Sequence, residues 1–158
     1  MGRKRNNTRG SPAQETQATG SKGATKVSES GTSPVKVLVI DDSNTIRRSA
    51  EMFLRAAGYE VILAEDGFDA LAKISDHAPQ VIFVDIMMPR LDGYQTCALI
   101  KQNPVLKTTP VIMLSSKDGV FDRARGRLAG SDRYLTKPFT KEALLEAVKE
   151  HAKPPSVS

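Results

Sequence analysis

The residues Val81-Ile82-Phe83-Val84 run without a polar break into a single carboxylate, Asp85, and the loop Ile86-Met87-Met88-Pro89 follows. A short continuous apolar run of this kind fits a strand buried on both faces, as in parallel sheets covered by helices. Asp85 stands at the end of that strand. In open α/β sheets the ligand crevice lies outside the carboxyl ends of the strands. The run therefore points to a sheet with helices on both sides, with one carboxylate aimed at a site. Alone, a strand-end Asp more often serves as a helix or turn cap, so the rest of the chain decides.

A second apolar run, Val35 to Ile40, ends in Asp41-Asp42-Ser43-Asn44. Ile46, Ala50, Phe53, Leu54 and Ala57 then recur at helical spacing, and Gly58 closes that helix. Tyr59 to Ala64 reads as a strand, and Asp66-Gly67 turns into a short helix with Leu71 and Ile74 on one face. The Asp85 strand and its loop to Gly93 lead into a helix from Tyr94 to about Lys101. Pro110 opens a strand from Val111 to Leu114, which ends in Ser115-Ser116. A helix from about Val120 to Ala129 stops at Gly130, Tyr134-Leu135 is a short strand, and Lys137-Pro138-Phe139 makes a turn. The last helix carries Leu144, Leu145 and Val148.

Strand and helix thus alternate five times. That pattern specifies an α/β fold, a (βα)5 doubly wound parallel sheet joined by right-handed crossovers. Of the two common doubly wound orders, five strands favour the flavodoxin-like 2-1-3-4-5, whose switch point lies between strands 1 and 3. The crevice is then bounded by Asp41, Asp42 and Asp85. The expected organisation is a tail over 1–33, one folded domain over 34–152 and a short tail over 153–158. Residues 1–33 hold almost no large apolar side chain, so they cannot bury enough surface to offset ordering entropy, and disorder is expected there.

Three carboxylates in one partly buried crevice repel one another by several kcal/mol unless neutralised. Clustered oxygen ligands suit Mg²⁺, which is bound through a few carboxylates, waters and phosphate oxygens. Ser115 brings a hydroxyl to another strand end, and Lys137 an ammonium able to hold a phosphoryl oxygen. A carboxylate nucleophile, a divalent cation, a hydroxyl and a lysine together describe formation of an aspartyl phosphate.

Asp41-Asp42, Asp85, the Met-Met-Pro-x-x-Asp-Gly loop at Met87 to Gly93, Ser115 and Lys137-Pro138-Phe139 occur in the order and spacing of a known family. Over about Val35 to His151 the chain resembles the CheY-like receiver domain of bacterial response regulators. The resemblance implies that Asp85 is the phosphoacceptor for a histidine kinase. It implies that Asp42, Asp85 and the Met87 backbone carbonyl ligate Mg²⁺ directly, with Asp41 acting partly through water. It gives Ser115 the phosphoryl oxygen, makes Tyr134 an aromatic that swings inward, and makes Lys137-Pro138 a cis peptide. Segments 66–74, 83–101 and 111–119 are similar to the response regulators of type IV pilus twitching motility, which implies a pilus or motility protein downstream. Phosphorylation is expected to reshape the surface formed by the fourth helix, fifth strand and fifth helix. Lys117, Arg123, Arg125, Arg127 and Arg133 make that region basic and a candidate partner surface.

The net charge of +5 is a property of the tails: residues 35–151 carry sixteen charges of each sign, while residues 1–34 carry six basic and two acidic groups. A neutral folded part argues against a nucleic-acid-binding domain. Only seven residues follow His151, too few for a DNA-binding domain, so binding is the expected output and separate substrate turnover is not expected. No apolar run approaches the ~18 residues of a membrane helix, the start lacks a signal-peptide core, and one cysteine, Cys97, excludes an internal disulfide. A cytoplasmic monomer is expected. Cys97 reads as a core residue, Asp92-Gly93 as turn chemistry, and His77 and His151 as surface residues. Three rivals remain: an aspartate-nucleophile phosphohydrolase, which needs a second Asp two residues after the first where Ser43 stands; a flavin-mononucleotide binder, whose phosphate Asp41-Asp42 would repel; and an adaptor that binds without phosphorylation.

Overall fold

The computed structural model describes residues 34–116 and 122–152. The tails expected over 1–33 and 153–158, and Lys117, lie outside the described residues. In chain order the elements are β1 (Lys36–Ile40), α1 (Asn44–Ala56), β2 (Glu60–Ala64), α2 (Gly67–His77), β3 (Val81–Asp85), α3 (Gly93–Gln102), β4 (Val111–Ser116), α4 (Arg123–Ala129), β5 (Arg133–Lys137) and α5 (Lys141–His151). The strands form one sheet in the order β2-β1-β3-β4-β5, and every neighbouring pair is parallel. This is the expected 2-1-3-4-5 topology.

Side chains alternate across a strand, and here the alternation sorts the core into two halves. Leu38, Ile40, Ile82, Val84, Val111 and Met113 pack with Ala70 and Ile74 of α2 and Cys97 and Ile100 of α3. Val37, Val39, Val81, Phe83, Ile112, Leu114 and Leu135 pack with Ala50 and Leu54 of α1 and Leu144, Ala147 and Val148 of α5. Because both faces are covered, β3 carries no polar position until it ends, and β1 none after its first residue, Lys36. β3 is buried along its whole length, Asp85 included.

Each helix starts on a short polar residue whose side-chain oxygen accepts a backbone N–H three residues on. Ser43, Asp66, Asp92, Asp122 and Thr140 fill this role for α1 to α5, and each such cap contributes about 1 kcal/mol. Ser43 caps α1, which leaves Asp41 and Asp42 outside the helix. Asp122 caps α4, so the described helix opens at Arg123 rather than near Val120. Ala57, expected on the buried face of α1, is the exposed residue after its last turn. Among the described residues no helix is long and apolar enough to cross a membrane.

Candidate functional site

The two-sided alternation that builds the core also builds the site. Asp41 follows Val37 and Val39 in strand parity, Asp85 follows Val81 and Phe83, and Lys137 follows Leu135, all residues of the core half under α1 and α5. The three side chains therefore leave the ends of β1, β3 and β5 on the same face. The Lys137 ammonium lies 3.1 Å from Asp41 Oδ2 and 3.0 Å from Asp85 Oδ1. Asp42 is exposed beside them, and Asp41, Asp42 and Asp85 each offer a carboxylate oxygen within 4.8 Å of the others.

Three carboxylates thus face one ammonium. Asp85 is only 2 % exposed. Burial, and then the charge of Asp41, push its carboxyl up to about 6 despite the hydrogen bond and charge of Lys137. Burial by itself would lower the pKa of Lys137, but its hydrogen bond to Asp85 and the charge of Asp41 leave it raised. The cluster is short of positive charge. A hard divalent cation with oxygen ligands fits such a donor set.

The loop carrying Asp41 and Asp42 is held from both sides. The Ser43 N–H donates to Asp41 Oδ1 at 2.9 Å. Arg47, one turn into α1, donates to the Asp41 carbonyl at 2.6 Å and to Asn44 Oδ1 at 3.3 Å. The loop after Asp85 is held too. The Met87 N–H points to Asp85 Oδ1 at 3.4 Å, while the Met87 side chain is 70 % exposed. Arg90 adopts a left-handed φ of 69°, donates to Asp66 Oδ2 at 3.0 Å and lies over the Phe68 ring at 5.0 Å. Gly93 is required by close approach: a Cβ there would run into the Asp85 carbonyl and come within 2.7 Å of Ile86 Cα.

The remaining expected residues are placed as follows. Ser115 is buried, and its hydroxyl donates to the Ser116 carbonyl at 3.4 Å. Its strand parity is that of Val111 and Met113, opposite to that of Leu114. Tyr134 is half-buried; its hydroxyl accepts from Arg123 at 3.2 Å, with that guanidinium 5.7 Å from the ring centre. The Lys137–Pro138 peptide is cis. Cys97 is fully buried, its Sγ donates to the Ala129 carbonyl at 3.3 Å, and burial pushes the thiol up to about 12. His77 and His151 lie outside the cluster.

Among the basic residues, Arg125 stacks 4.2 Å over Tyr94 and reaches Asp92 Oδ2 at 3.6 Å, and Arg133 pairs with Glu150. The Tyr94 hydroxyl accepts the Asp122 N–H at 2.9 Å, so α3 and the start of α4 are joined. Arg90 and Tyr94 had no signal in the sequence. Their partners are backbone groups or side chains on other elements. Only Arg47, one turn after the acidic pair, could have been suspected.

The fold and the acidic crevice at its strand ends define a signalling receiver. The chain belongs to the response regulator receiver domain family, whose model matches residues 37–149. It is 71% identical over 117 residues to Protein PilG of Pseudomonas aeruginosa, a match covering 74% of this chain and 87% of PilG. Among solved structures it is similar to the chemotaxis protein CheY4 of Vibrio cholerae, with a TM-score of 0.72 and 34% identity over 75% of this chain and 99% of that one. It is also similar to the receiver domain of the sensor histidine kinase PA1611 from Pseudomonas aeruginosa, solved with a magnesium ion coordinated in the active site cleft. That match has a TM-score of 0.69 and 28% identity over 76% of this chain and 98% of that one.

Proposed function

We propose that Asp85 is a phosphoacceptor and that its modification switches a binding surface. The observation that carries this reading is Lys137 held between Asp41 and Asp85 with Asp42 alongside. An Asp85 oxygen attacks the phosphorus of a phosphohistidine donor. The new O–P bond replaces the P–N bond, and the imidazole leaves, regaining a proton from solvent. Lys137, now bonded to Asp85, moves its hydrogen bonds to the phosphoryl oxygens. Asp42, Asp85 and the Met87 carbonyl would hold Mg²⁺, with Asp41 acting partly through water, and the cation supplies charge neutralisation as the phosphoryl group approaches. Ser115 and Tyr134 then report the change to α4, β5 and α5 by reorienting toward the site.

Membership of the family supports a histidine kinase donor, and the likeness to PilG supports output through pilus or chemotaxis-like motility. No turnover of a separate substrate is proposed. The test is intact-mass analysis after incubation with acetyl phosphate and Mg²⁺, on the wild type and on Asp85→Asn. A gain of one phosphoryl group, lost without Mg²⁺ and in the variant, is the expected result. A folded protein that gains none with either acetyl phosphate or a phosphorylated kinase is a constitutive adaptor instead.

A further inference from the structure

The loop from Met87 to Asp92 leaves the sheet and returns between two fixed points. The Ile86 N–H donates to the Leu114 carbonyl at 3.1 Å, and the Ile86 carbonyl accepts the Gly93 N–H at 2.9 Å. The outer end of the loop is a tight turn. The Leu91 N–H donates to the Pro89 carbonyl at 2.7 Å, with Arg90 between them. A three-residue turn whose centre has positive φ is the strained form, and Arg90 stands at 69°. Glycine adopts such a backbone without penalty; arginine does not. The Arg90 side chain offsets that cost by reaching the start of α2. Its guanidinium donates to Asp66 Oδ2 at 3.0 Å and lies 5.0 Å over the Phe68 ring. The other Asp66 oxygen, Oδ1, accepts the Asp69 N–H at 2.8 Å, so Arg90 pairs with an acid already fixed as a helix cap. Leu91 packs against the same turn of α2: a Cβ on Gly67 would stand 2.7 Å from Leu91 Cδ2.

We infer that Arg90 determines which divalent cation the crevice prefers: by clamping the outer turn to α2 it stiffens the Met87 loop, and stiffness favours Mg²⁺ over Ca²⁺. The inference rests on the metal reading above, in which the Met87 carbonyl is a ligand. Mg²⁺ demands near-octahedral oxygens at about 2.0–2.1 Å, whereas Ca²⁺ accepts oxygens at about 2.3–2.6 Å in flexible arrangements. A loop that samples several positions binds Mg²⁺ only through the fraction that is correctly placed. Ca²⁺ adapts to the loop instead. Arg90 acts through the Met87 backbone, so it is a positioning residue and not a ligand. Its side chain is 65 % exposed, and an ion pair that open contributes little to global stability. Cation choice and overall stability therefore separate at this residue.

The test is isothermal titration calorimetry of Mg²⁺ and of Ca²⁺ into the chelator-treated full chain, with a urea midpoint read on each variant. Arg90→Gly relieves the backbone strain and removes the clamp. It is expected to weaken Mg²⁺ by about threefold to tenfold, the range of one exposed ion pair joined to a cation–π contact. Ca²⁺ affinity and the urea midpoint are expected to stay near wild type. Asp66→Asn keeps a good helix cap and loses the charge. It is expected to shift the Mg²⁺-to-Ca²⁺ ratio in the same direction by less, and to add nothing to Arg90→Gly, since both break one pair. An unchanged ratio in Arg90→Gly overturns the proposal, whether both affinities hold or both fall equally, and so does an additive double variant. If wild type binds neither cation, or Asp42→Asn binds both as wild type does, the metal reading fails first and the selectivity falls with it. The clamp itself is then judged by hydrogen exchange of the Leu91 amide without cations: Asp66→Asn is expected to speed it several-fold, and an unchanged rate overturns the clamp as well.

Discussion

The guanidinium of Arg47 donates to the backbone carbonyl of Asp41 at 2.6 Å, tying the first turn of α1 to the loop that presents Asp41 and Asp42. The contact does not touch the crevice. It fixes where two of the three carboxylates point.

Arg47→Ala should therefore loosen the acidic loop without removing a carboxylate. A hydrogen bond to a charged donor contributes roughly 1.5–3 kcal/mol, and half-burial places this one at about 1 kcal/mol. The apparent Mg²⁺ requirement for modification by acetyl phosphate should rise several-fold, while the rate at saturating Mg²⁺ stays near wild type. Arg47→Lys should recover part of the loss. An equal fall in rate at every Mg²⁺ concentration would contradict this assignment.

The charge imbalance at Asp85 predicts a stabilising substitution. Its carboxyl stands at about 6 against an ordinary 3.8, so at neutral pH the native state holds an ionised group that its surroundings disfavour. Asn keeps the shape and removes the charge. In urea denaturation with chelator present, Asp85→Asn should exceed wild type by up to about 3 kcal/mol. Added Mg²⁺ should stabilise the wild type and have a smaller effect on the variant.

Cys97 predicts a dependence on alkaline pH. Burial pushes its thiol from 9.0 to about 12 in the native state. A group raised on folding contributes stability that is complete below its unfolded pKa and is lost as pH rises toward the folded value. The advantage of wild type over Cys97→Ala should be constant up to about pH 8 and shrink by about 1 kcal/mol by about pH 10. In native protein at about pH 8, iodoacetamide should leave the thiol unmodified on a timescale that completes the reaction in urea.

Gly93→Ala should be costly although a helix start ordinarily accepts alanine. The added methyl group meets the backbone of Asp85 and Ile86, which cannot move aside as a flexible side chain would. A loss of about 2–3 kcal/mol is expected from such overpacking, readable as a lower urea midpoint. Modification of Asp85 should slow with it, because the displaced backbone carries the acceptor. A variant with wild-type stability would show that α3 can slide away from β3.

Much of this protein is legible without coordinates. Uninterrupted runs such as Val81 to Val84 are possible only where both faces of a strand are covered, and their alternation with helical spacing leaves one common architecture. Once that topology is chosen, Asp41, Asp42, Asp85 and Lys137 must gather at one end of the sheet, since parallel strands end on the same side. What spacing could not reveal is how each group is held. Arg47, Gly93 and Tyr94 act on partners in other elements, at distances set by how helices seat on a twisted sheet. The arginines of α4 and β5 look alike in the sequence, yet Arg125 is bound to Tyr94 and Asp92, Arg133 to Glu150, and Arg123 to Tyr134. Local pattern and covalent order determine which residues reach the crevice; tertiary packing alone decides which charges are neutralised, because that depends on partners far apart in the chain.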